Sequence, residues 1–139
     1  MNIDALNEQL ENARLFGLLN MASADAYIAG LERLVARGGD ATRVASVASF
    51  FISRIDTAVD ALIDGRVQAS TNAREQSLLR GLTGRVAIAN AKLAYQRYQE
   101  LFGGRRWQAL AAQGARTQRL LWASTGAKNP GYRDVVYVE

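Results

Sequence analysis

The sequence predicts an α/β protein assembled from β/α units and dominated by helix. Three observations carry that expectation. Two short runs read as strands buried on both faces of a parallel sheet. Residues 44–52 are nearly continuous in small and apolar side chains, β-branched in part, and residues 118–123 follow a helix and a glycine. The segments around them instead repeat apolar residues every three or four positions, the spacing of one helix face. Polar residues gather where each run ends: Ser49, Ser53 and Arg54 at the first, Ser124, Thr125 and Lys128 at the second. In parallel β/α architectures those carboxyl ends of strands are where active sites sit.

Taken in order, residues 3–21 predict a helix, with Ile3, Leu6, Leu10, Ala13 and Phe16 or Gly17 on one side and Asn7, Glu8 and Glu11 on the other. A second helix is expected from about Ser23 to Arg37. Tyr27, Ile28, Leu31, Leu34 and Val35 form its stripe, Asp25 favours its amino end, and Gly38-Gly39 stops it. The first strand, Val44 to Ile52, leads into a helix whose buried stripe is Ile55, Val59, Leu62 and Ile63. Asp56, Asp60 and Asp64 are read on its exposed side, and Gly65 as its end. Residues 66–84 read as polar and irregular, with short helical turns around Glu75 to Arg80.

A long helix is then expected from Arg85 to Phe102, with Ala87, Ala91, Ala94, Tyr98 and Leu101 on one face and Gly103-Gly104 at its end. A shorter helix, Trp107 to Gln113, passes through Gly114 to the second strand, Gln118 to Ala123. The loop 124–131 closes that unit, and Val135 to Val138 reads as a strand by propensity alone.

Composition narrows the chemistry. The 139 residues, 49% apolar, suit one domain with a substantial core. No apolar run approaches the roughly 20 residues that cross a bilayer. The amino-terminal stretch has acidic residues before any apolar block and does not read as a secretory signal, so a cytoplasmic, membrane-free protein is expected. There is no cysteine and no histidine, which removes disulfides, thiol nucleophiles and histidine-based triads or metal sites. General acid–base work would fall to Asp, Glu, Tyr or Lys. Fifteen arginines accompany only two lysines, Lys92 and Lys128. The net charge of +4 comes from arginines scattered from Arg14 to Arg133, with neither a basic run nor an aromatic platform, so nucleic acid is not an expected partner.

Four collinear stretches carry a resemblance: AYIAGLERLVARGGD (26–40), VASVASFFISRIDTAVD (44–60), GRVAIANAKLAYQRYQELF (84–102) and RLLWASTGAKNPGYRDVVYVE (119–139). They resemble the helix before strand six, strand six, the helix after it, and strand seven with its loop in transaldolases. The likeness is strongest to bacterial forms, including those fused to glucose-phosphate isomerase. The distinctive motifs are SFFISRID and WASTGAKNP, and the match covers about residues 24–139. Residues 1–23 are left unassigned as an amino-terminal helix, because the Asn-x-Thr motif of strand five has no counterpart there.

The resemblance implies a TIM-type β/α barrel that this chain does not close by itself. It implies transfer of a dihydroxyacetone unit between sugar phosphates through a Schiff base, in the pentose phosphate pathway and with no cofactor. Carried over by position, Ser49 helps shape the donor site and Phe51 belongs to the same motif. Arg54 binds substrate phosphate, Ser124 matches the strand-seven serine, and Lys128 stands in for an arginine as a second phosphate contact. In the family the Schiff-base lysine lies on strand four and the carboxylates on strands one and three, so no catalytic residue is assigned here. Against the family, residues 134–139 would begin a helix rather than a strand.

Plainer readings stand beside these. Lys92, within a long helix and with no pocket implied, reads as solvent-facing, and Lys128 as a phosphate contact rather than a nucleophile. Asp56, Asp60 and Asp64 read as a solvated helix face and not as a metal site. Without the family match Arg54 reads as a surface partner of Asp56 or Asp60, and Trp107 and Trp122 as packing residues.

Three functions remain open. The chain is a segment of a longer or multi-chain transaldolase, a sugar-phosphate-binding remnant without turnover, or a structural or interaction protein from a truncated reading frame. An unclosed barrel sector leaves strand edges and an inner sheet face uncovered, so self-association or a complementary chain is expected.

Overall fold

The computed structural model describes residues 22–138; the helix expected over 3–21 lies outside them. Helix α1 occupies residues 22–36. Ile28 and Leu31 are buried and Tyr27, Leu34 and Val35 pack beside them, as the stripe predicts. It ends in a Schellman motif, with Gly38 N–H bonded to Val35 O at 2.9 Å and Gly39 N–H to Leu34 O at 2.9 Å. Gly38 has φ +76° there, a conformation glycine adopts at least cost. A single 3-10 turn, Ala41–Arg43, follows, capped by Asp40.

Strand β1, Val47–Phe51, pairs in parallel with β2, Arg119–Ala123, in the register Val47↔Arg119 through Phe51↔Ala123. Both strands are shorter than predicted. Propensity continues on either side, but a strand lasts only as long as its partner's ladder, and both carboxyl ends turn away at the same level. Before β2, Tyr27 donates to Arg116 O at 2.7 Å and Tyr98 to Gln118 O at 2.9 Å, anchoring the incoming chain to α1 and α4.

The crossover between the strands is wholly helical: α2 (Ile52–Ala69), α3 (Ala73–Arg80), α4 (Val86–Gly103) and α5 (Arg105–Ala111). Two expectations fail here. Helix α2 runs through Gly65, because Ile63 and Val67 continue the buried stripe on either side of it; one glycine costs only about 1 kcal/mol in a helix interior. The stretch expected to be irregular holds the end of α2 and all of α3. Asn72 accepts from Arg74 N and Glu75 N to start α3. Arg66 and Ser70 both bond Glu75, at 2.9 and 2.5 Å, and lock the corner.

Two apolar clusters hold these elements. One joins Phe50, Ile52, Ile55, Val59, Ile63 and Val67 to Ala87 and Ala94 of α4, whose small side chains allow close approach. The other joins Ile28, Leu31 and Ala41 to Trp107 and Leu110, and Phe102 meets Trp107 edge-on at 4.8 Å. Each large buried side chain stabilises the fold by about 1.5–3 kcal/mol. Trp107 packs as expected; Trp122 meets Phe50 edge-on at 5.6 Å but stays 38% exposed.

The tail does not form a strand. It makes tight turns, with Val136 N–H bonded to Arg133 O and Val138 N–H to Val135 O. Tyr137 reaches instead into the interior beside α2. β-propensity lost because no sheet edge meets these residues, whereas a buried acceptor does.

Candidate functional site at the strand ends

The two faces of the sheet differ. Ala48 and Phe50 are buried under the helices, whereas Val47 and Phe51 on the other face are 47% and 39% exposed and Leu121 opposite is 51% exposed. Ser49 lies half-buried on this open face, in register with Leu121. Ser49 and Phe51 therefore share one face by strand alternation.

At the carboxyl end of β1 the chain passes directly into α2. No side chain caps this helix and its first turn contains no acidic residue. Arg54 sits in that turn, exposed, with its guanidinium 4.8 Å from the centre of the Phe51 ring. Cation–π contact holds it there. A cation beside a positive helix end is unfavourable alone, and both together attract an anion. The expected alternative, Arg54 paired with Asp56 or Asp60, is not formed; both carboxylates are engaged elsewhere.

Ser124, one residue past β2, has φ +52°, which costs a non-glycine residue on the order of 1 kcal/mol. Its carbonyl accepts from Ser53 N–H of α2 at 3.0 Å. This bond joins the two strand ends directly. Ser53 Oγ is buried beside it with no hydrogen-bond partner. Phe51, Arg54 and Ser124 are thus brought to one place, with Ser49 one step back along β1.

Lys128 is exposed and lines a separate hollow of about 240 Å3 with Asp56, Thr57, Asp60, Asp64, Asn129 and Tyr132. The structure records no contact between it and Arg54. Lys92 is exposed, as expected, but it borders an open cleft of about 910 Å3 with Tyr95, Trp122, Thr125 and Tyr137, which the sequence did not suggest. That cleft adjoins Trp122, on the helix-covered side of the sheet, away from Ser49 and Phe51.

The largest correction concerns Asp56 and Asp60. Both were expected on a solvated face, and both are buried, at 2% and 8% exposure; only Asp64 is exposed. Asp56 accepts from Ala87 N–H at 3.0 Å, in the first turn of α4, and from Tyr137 OH at 2.7 Å. Asp60 accepts from Gly84 N–H at 3.0 Å and from Tyr132 OH. Burial raises the Asp56 carboxyl above the ordinary aspartate range, against the opposing effect of its two donors, and Asp60 nearby adds to the rise. Burial first, then the facing carboxylate, raises both phenols well above the usual range. Among the described residues no group of three His, Cys, Asp or Glu side chains is placed to hold a metal, and no helix is long and apolar enough to cross a membrane.

A parallel strand pair with a helical crossover defines a β/α protein, and Arg54 and Ser124 lie where its strands end. Its sequence matches the model of the family described as Transaldolase/Fructose-6-phosphate aldolase over residues 18–139, and the chain belongs to that family. It is 53% identical over 117 residues to a transaldolase of Trichodesmium erythraeum, covering 84% of this chain and 31% of that protein. It is 51% identical over 115 residues to transaldolase 2 of Nostoc sp., covering 82% and 30%. For a transaldolase of Thiobacillus denitrificans the figures are 53% over 115 residues, 83% and 30%. The chain therefore spans about three tenths of the length of these curated relatives.

Proposed function

We propose that this chain is the strand-six to strand-seven sector of a transaldolase barrel and supplies the part of the site that holds the sugar phosphate. In this reading Arg54 and Lys128 contact the phosphate, Ser49 and Ser124 hydrogen-bond the sugar, and Phe51 walls the donor site. Guanidinium, ammonium and hydroxyl groups form charge-assisted hydrogen bonds to a phosphate dianion. The open sheet face carrying Ser49, Phe51 and Leu121 is then the barrel interior, completed by further strands. The Schiff-base lysine and the acid–base carboxylates come from those strands, so this sector does not transfer dihydroxyacetone alone. Needing no cofactor and acting on soluble sugar phosphates, the enzyme works in the cytoplasm. The single observation that carries the reading is the uncapped amino end of α2, with Arg54 in its first turn and Ser124 bonded beside it.

The test is fructose 6-phosphate binding by the chain, measured by calorimetry. Arg54→Ala should abolish it while Arg54→Lys retains part. Incubation with fructose 6-phosphate and erythrose 4-phosphate should give no turnover, and borohydride should trap no adduct. A covalent sugar on Lys92 or Lys128 would overturn the division of labour proposed. Binding that survives Arg54→Ala would overturn the site.

A further inference from the structure

The loop that follows β2 carries Lys128, is nine residues long from Ser124 to Tyr132, and is tied at both ends. At its start Ser124 O accepts from Ser53 N–H. At its end Tyr132 donates to Asp60, and five residues on Tyr137 donates to Asp56. Between these anchors the loop has its own turn, with Gly131 N–H bonded to Asn129 Oδ1 at 2.9 Å and Tyr132 N–H to Asn129 O at 3.0 Å. Lys128 immediately precedes that turn and borders the same hollow as Asp56, Asp60 and Tyr132. In the segment beyond the loop Val135 and Val138 are 41% and 77% exposed, whereas Tyr137 packs against the α2–α4 core.

Two buried carboxylates one helical turn apart are costly unless each is well supplied with donors. Each receives one backbone N–H from around the start of α4 and one phenol from the segment after the loop. The backbone donors explain how α4 is seated on α2. A serine would do that as well, and would leave the phenols unused. Gly84 sharpens the point: it has φ +70°, and a Cβ there would lie 2.8 Å from Tyr132 Cζ. The backbone is pressed against the tyrosine ring where it meets Asp60.

We propose that Asp56 and Asp60 are positioning residues, which through Tyr137 and Tyr132 fix the loop that follows β2 and bears Lys128. The inference rests on the phosphate-holding role proposed for that loop. Neither aspartate touches the sugar phosphate; they act through the tyrosines. Lys128 of the loop and Asp64 of α2 border the same hollow.

The test measures hydrogen exchange of residues 124–131 and fructose 6-phosphate binding on the full chain. Tyr132→Phe removes one hydroxyl and leaves the ring in place. It should speed exchange in the loop, and weaken binding, by about tenfold, the range of one hydrogen bond to a charged acceptor. Asp60→Ala should do the same or more, while Asp60→Asn, which can still bond both Gly84 N–H and the phenol, should restore most of both. Arg54→Ala should remove binding with loop exchange unchanged. Unchanged exchange in Tyr132→Phe overturns the inference, as does faster exchange with undiminished binding, or an Asp60→Asn no better than Asp60→Ala. Failure of the unaltered chain to bind is told apart because it needs no substitution; it overturns the site and this role together.

Discussion

Gly84→Ala is the substitution whose cost the structure specifies most fully. A residue with a Cβ at φ +70° costs about 1–2 kcal/mol relative to ordinary helical or extended backbone. The new methyl would lie 2.8 Å from Tyr132 Cζ and 2.9 Å from its hydroxyl oxygen, so the ring must move. Moving it breaks the bond to Asp60, about 1.5–3 kcal/mol for a charged acceptor. The stiffer unfolded chain returns about 0.4–1 kcal/mol. The net loss is therefore about 2–4 kcal/mol, a large share of the 5–15 kcal/mol typical of a domain. Equilibrium urea denaturation followed by circular dichroism measures it. The decisive comparison is the same change in a Tyr132→Ala background, where neither the clash nor the bond remains and only about 1 kcal/mol should be lost. Gly30→Ala, where a Cβ meets nothing within 4 Å in the middle of α1, should stabilise by about 0.5–1 kcal/mol. Equal losses at Gly84 in both backgrounds, or no loss in either, would refute the contact between this turn and the tyrosine.

Other consequences can be tested alongside. Because burial raises the Asp56 carboxyl, its protonated form is favoured in the folded state. Its contribution is fully present below the ordinary aspartate range and lost as pH rises through the raised value. The stability of Asp56→Asn relative to the unaltered chain should accordingly improve from pH 4 to 7; a flat or opposite trend in denaturation midpoints contradicts this. Trp107→Ala empties the centre of the α1–α5 cluster and should cost about 3–5 kcal/mol, read as a lower melting temperature. Leu121→Lys places a charge on the open sheet face and should reduce concentration-dependent self-association in sedimentation without lowering stability, because Leu121 is already half in solvent.

Much of this architecture was legible in the sequence. A continuous apolar run marked β1, although one face of the sheet is open rather than both buried. Three-and-four spacing marked α1 and α4 with the correct buried faces, and Gly38-Gly39 marked a real helix end. These signals are local: they depend on side chains within a turn or a strand of one another. The strand-end position of Arg54 and Ser124 followed from that order of elements, whereas Ser49 lies at the middle of β1. The SFFISRID and WASTGAKNP motifs pointed to the family that the comparisons then established.

What only tertiary structure decided lies at Asp56 and Asp60. Their spacing is that of a solvated face, and they flank Ile55 and Val59 closely enough to turn inward as well. The choice was made by donors 24 and 31 residues downstream in the backbone, and 72 and 81 residues downstream in Tyr132 and Tyr137. The same tyrosines kept the tail out of a strand, and the length of the parallel ladder trimmed β1 and β2. Periodicity reports which face of an element is apolar; whether a carboxylate beside that face is buried depends on which donors the fold brings to it.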